Sequence, residues 1–88
     1  MRTLPATIET DILRVAILEM GRMRGEKSFC PSEVVRWLYP VDWRHFMPDI
    51  QIKMMELYKA GEITITQKGK PVPKEQIPKG PVRIVINF

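Results

Sequence analysis

Three features predict an α+β domain of the winged helix-turn-helix type: three helices, then a C-terminal two-stranded β-hairpin as the wing. Three segments with helical spacing are punctuated by Gly21, Pro31, Pro40, Pro48 and Gly61. Two later runs alternate at period two, Ile63/Ile65 and Val82/Ile84/Ile86. The segment between those runs, KGKPVPKEQIPKG, is rich in lysine, proline and glycine and reads as a loop, not a third strand.

The first helix is expected from about Pro5–Thr7 to Met20–Arg22. Pro5 suits a first turn, Thr7 an N-cap, and Glu9 and Asp11 complement the positive helix end. Ile8, Ile12, Ala16, Met20 and Met23 form its apolar stripe, widened by Leu13 and Val15. Ile17 and Leu18 fall off that stripe, so the helix is covered on more than one side, by the sheet, a neighbouring helix or a partner subunit. Ser28-Phe29-Cys30 reads as a strand stub feeding a second helix that begins at Pro31, buries Val34, Val35 and Leu38, and stops at Pro40. Helix three is expected as a short turn, Trp43 to Met47, leading into a main helix from Pro48 to Ala60 with Gly61 after its end. The two strands are expected over Glu62–Gln67 and from Pro81 or Val82 to Asn87. Helices two and three would form the helix-turn-helix pair, with the hairpin loop as the wing.

At 88 residues, with 44% hydrophobic and 27% charged residues, the chain is expected to form one soluble domain over 1–88. No apolar run approaches the roughly 20 residues that span a bilayer, so no membrane partner is expected. Glu9 and Asp11 stand where a secretory signal would be apolar. The single cysteine, Cys30, allows no internal disulfide framework and fits a reducing compartment. A cytoplasmic location is therefore expected. His45 is the only histidine and has no carboxylate pair or metal-ligand spacing beside it. Neither an enzyme nor a cofactor is expected.

Charge placement points to a polyanion. Between Lys68 and Arg83 the chain carries five basic residues against Glu75, which accounts for the whole net charge of +4. Lys68, Lys70, Lys74, Lys79 and Arg83 are the candidate phosphate contacts, joined by Arg44 and Lys59 on the third-helix region. Gln51 is the candidate for a base edge, because an amide can pair with adenine in two places. Against DNA, the presumed outer face of helix three is nearly neutral and includes Asp49 and Glu56. Ile52 and Met55 on that face suit a contact with another protein, or self-association. Double-stranded DNA and a protein partner or homodimer both stand as expectations.

The stretches SFCPSEV (28–34), DWR (42–44), GEITITQKGKPV (61–72) and GPVRI (80–84) resemble a small bacterial family known as the domain of unknown function numbered 3253. The resemblance covers nearly the whole chain. It implies a compact bacterial winged helix and no established activity.

Overall fold

The computed structural model describes the backbone of residues 4–87 and the side chains of residues 12–87. The order is α1 (Leu4–Arg24), α2 (Pro31–Leu38), a 3-10 turn (Trp43–Phe46), α3 (Met47–Lys59), β1 (Ile63–Gln67), β2 (Lys70–Pro71) and β3 (Arg83–Ile86). The roles expected for Thr7, Glu9, Asp11 and Ile8 fall on side chains outside the described residues.

The α+β class and the three helices are as expected, but the winged helix-turn-helix with its two-stranded hairpin is corrected. The C-terminal sheet has three antiparallel strands in the order β2-β1-β3. Lys68 (φ 53°) and Gly69 (φ 81°) both take positive φ, as a two-residue type I′ hairpin turn requires. The chain therefore reverses at once, and Lys70 and Pro71 pair with Gln67 and Thr66. Proline had argued against a strand here. Pro71 is tolerated because β2 is an edge strand, where a missing N–H leaves no ladder partner unsatisfied. Nor do α2 and α3 meet across a tight turn, since Tyr39–Asp42 and the 3-10 turn lie between them.

β1 and β3 pair Ile63 with Ile86 and Ile65 with Ile84, so their apolar side chains share one face. The expected strand stub is a single bridge: Phe29 N–H donates to the Ile84 carbonyl (3.0 Å), and Ile84 N–H returns to the Phe29 carbonyl (2.7 Å). Against this face pack Ile17, Val34, Val35, Ile50 and Met54, all virtually without solvent contact. Phe29 and Ile84 complete that centre.

α1 is rotated relative to the sequence reading, whereas α3 buries Ile50, Met54, Leu57 and Tyr58 as its spacing predicts and Met55 besides. On α1, Leu13, Ala16, Ile17 and Met20 are buried, whereas Ile12, Val15 and Met23 are exposed. Ile17, expected off the stripe, is 0% exposed because α2, α3 and β3 all pack against this helix. On α3, Met55 is buried (5% exposed) and Ile52 is the exposed apolar residue (52%). Lys53 is also buried, and its ammonium reaches Glu56 at 2.6 Å.

Gly21 sets the approach of α1 to the sheet. A Cβ built there would stand 2.8 Å from Ile86 Cβ, an atom fixed by its strand backbone. Alanine is the better helix former by about 1 kcal/mol, yet Gly21→Ala is expected to destabilise the domain by about 1–3 kcal/mol through overpacking. Urea unfolding of the variant checks the sign.

Candidate nucleic-acid interface

Gln67 ties the backbone at Lys70 and Lys79 to the end of β1, next to Lys68. Its backbone pairs with Lys70 across the β1–β2 turn. Its Nε2 donates to the Lys79 carbonyl (2.5 Å) and the Pro81 carbonyl (3.2 Å). Residues twelve and fourteen positions downstream are thereby held beside the sheet end. Lys68, Lys70 and Lys79 are all exposed there. An open groove of about 440 Å³, lined by Gln67, Pro73, Gln76, Ile77, Pro78 and Lys79, runs beside them. The loop is also pinned at its start, where Tyr58 OH donates to the Val72 carbonyl (2.5 Å) and Val72 N–H donates to Ile65 O (3.1 Å).

The other candidates are placed elsewhere or already engaged. Lys74 folds back on α3, its ammonium 5.0 Å from the Tyr58 ring centroid. Arg83 Nε donates to Ser28 Oγ (2.9 Å), and its two terminal nitrogens reach Cys30 Sγ (3.0 Å) and the Ser28 carbonyl (2.8 Å). That guanidinium is a clamp between β3 and the entry to α2. Arg44 stacks over Trp43, with Cζ 4.5 Å from the ring centroid. Lys59 is exposed in the last turn of α3. Gln51 is half-buried and lines a cleft of about 350 Å³ with Cys30, Pro31, Met54 and Val82. The solvent side of α3 therefore offers Asp49, Ile52, Glu56 and Lys59.

Electrostatically, the described residues sort into two populations. Their four ion pairs are Arg14–Glu62, Arg22–Glu19, Arg24–Glu33 and Lys53–Glu56. None involves the lysines around Gln67. The acidic partners in these pairs, Glu19, Glu33, Glu56 and Glu62, answer cations of the helices. No group of three metal-ligating side chains occurs among the described residues, and no described helix is long and apolar enough to cross a membrane.

The chain belongs to the family described as "Protein of unknown function (DUF3253)", whose model matches residues 10–87. Comparison with curated proteins finds none that matches.

Glu33 anchors the α2 side of the same clamp. Its carboxylate accepts the Cys30 N–H (2.8 Å) and pairs with Arg24 (2.5 Å). The Cys30 N–H first, then Arg24 and the charge of Arg83, hold the carboxyl below its ordinary value against the opposing effect of partial burial. A depressed folded-state pKa means that this stabilisation is full above the unfolded glutamate value and is lost as pH falls through the folded one. Glu33→Gln should therefore lower stability at neutral pH and flatten its acid dependence below the ordinary glutamate range. Chemical denaturation across that acid range measures both.

Proposed function

We propose that this member of the DUF3253 family binds the phosphate backbone of nucleic acid, double-stranded DNA in particular, through Lys68, Lys70 and Lys79. One observation carries the reading: Gln67 holds the backbone of these three exposed lysines to one end of the sheet, and none is in an ion pair among the described residues. Lysine is a point charge well suited to phosphate, and each neutralised phosphate releases counterions. Asp49 and Glu56 on the solvent side of α3 oppose placing that helix in a groove, and Gln51 is turned into the cleft. Such a domain grips the backbone without reading base edges, so its affinity varies little with sequence.

A fluorescently labelled mixed-sequence duplex, titrated at low salt, tests this reading. Lys68→Ala with Lys70→Ala should weaken binding alike for unrelated sequences and reduce the slope of log affinity against log salt by about 2. No binding of the native chain at tens of micromolar overturns the proposal. Arg83→Ala supplies a contrast: loss of the clamp should lower stability while the folded variant keeps its affinity for the duplex.

The alternative reading, self-association, is favoured by the exposure of Ile12, Val15 and Met23 on α1; on α3, Ile52 is the remaining exposed apolar anchor. Light scattering should then show a dimer that Val15→Glu converts to monomer, and a native chain that stays monomeric when concentrated removes this reading.

A further inference from the structure

The corner between α2 and α3 carries two cations with a different chemistry, both stacked on one indole. Arg36, in the last turn of α2, places Cζ 4.2 Å from the Trp43 ring centroid, and Arg44 places its own at 4.5 Å. Neither arginine belongs to any ion pair among the described residues, although Asp42 lies in the same turn. The turn itself is braced from within, because Tyr39 stacks on Phe46 with centroids 4.0 Å apart and planes 18° from parallel. Trp37, which follows Arg36 at the end of α2, is 48% exposed, and Val41, in the link from α2 to the 3-10 turn, is 88% exposed.

Each part of this surface narrows what would fit. A guanidinium fork matches a carboxylate or a phosphate in two places. Stacking on an indole restrains both forks before a ligand arrives and so lowers the entropy lost on binding. Tryptophan and arginine are also the residues that dominate binding energy at protein interfaces. Val41 separates the two anionic partners, since an aliphatic side chain offers a sugar–phosphate chain neither a donor nor a stacking face. It gains only from another apolar side chain.

We propose that the Arg36–Trp43–Arg44 corner docks an acidic segment of another protein. Carboxylates lie on Arg36 and Arg44, and an apolar side chain between them rests on Trp37 and Val41. This surface is independent of the lysines around Gln67 and would let the domain hold a protein and a polyanion through different residues.

Trp43 lies between the two arginines' stacking contacts and Trp37 is the residue after Arg36; they are the two tryptophans of the chain, so intrinsic emission reports occupancy of this corner without a label. The probe is a synthetic peptide of Glu-Glu-Leu repeats. Its glutamine analogue and a single-stranded oligothymidylate serve as comparisons. The glutamate peptide should change the emission saturably. Arg36→Gln with Arg44→Gln should weaken that binding at least about tenfold, while Lys68→Ala with Lys70→Ala should leave it unaltered. No emission change at millimolar glutamate peptide overturns the proposal, as does equal binding of the glutamine analogue. Tighter saturation of the same change by oligothymidylate also overturns it and assigns the corner to nucleic acid. If the double arginine variant loses its helical circular dichroism, Trp37→Ala takes its place, with Trp43 still reporting. Undiminished peptide binding by that variant would likewise refute the docking.

Discussion

The two-hydrogen-bond bridge between Phe29 and Ile84 is the constraint on which the rest of the domain depends. Both residues are 0% exposed, and the bonds joining them are shielded from competing water, where an unmade pair would be costly. The bridge fixes where α2 begins relative to β3. Arg83 and Glu33 then secure the same junction from outside, one through Ser28 and Cys30, the other through the Cys30 N–H. The entry to α2 and the sheet are thus fastened at one buried residue pair, and the apolar centre closes around it.

That arrangement also explains how charge is distributed. Glutamates at 19, 33, 56 and 62 are held against cations of the helices. The segment beyond β1 has only Glu75 among its acids, so its lysines remain unanswered. Exposed ion pairs of this kind contribute little stability singly. They leave Lys68, Lys70 and Lys79 outside every ion pair among the described residues.

Much of the architecture was legible because its signals are local. Pro31 and Pro40 bracket α2, Pro48 and Gly61 bracket most of α3, and the alternation of Ile63 and Ile65 marks β1. What was not legible depends on distant partners. β2 is two residues long and contains a proline, so no periodicity could announce it; its pairing follows from backbone angles at Lys68 and Gly69. The rotation of α1 and the burial of Met55 depend on which neighbours pack against each helix, and apolar residues at Ile12, Val15 and Ile52 read the same whether covered or not. In the candidate site, the lysines were visible as charge, but Gln67 was not visible as the residue that ties their backbone to the end of β1. A glutamine in a strand carries no mark of bonding to carbonyls twelve and fourteen residues away. Arg83 was counted as a free cation because its three partners lie more than fifty positions upstream.

The left-handed conformation of Lys68 (φ 53°) carries a backbone cost at this turn. Asparagine or glycine would occupy the position at lower backbone energy. The lysine places an exposed positive charge at the turn between β1 and β2. Thermal robustness and charge presentation compete at this single residue. Lys68→Gly or Lys68→Asn would relax the bend and remove that charge in a single change.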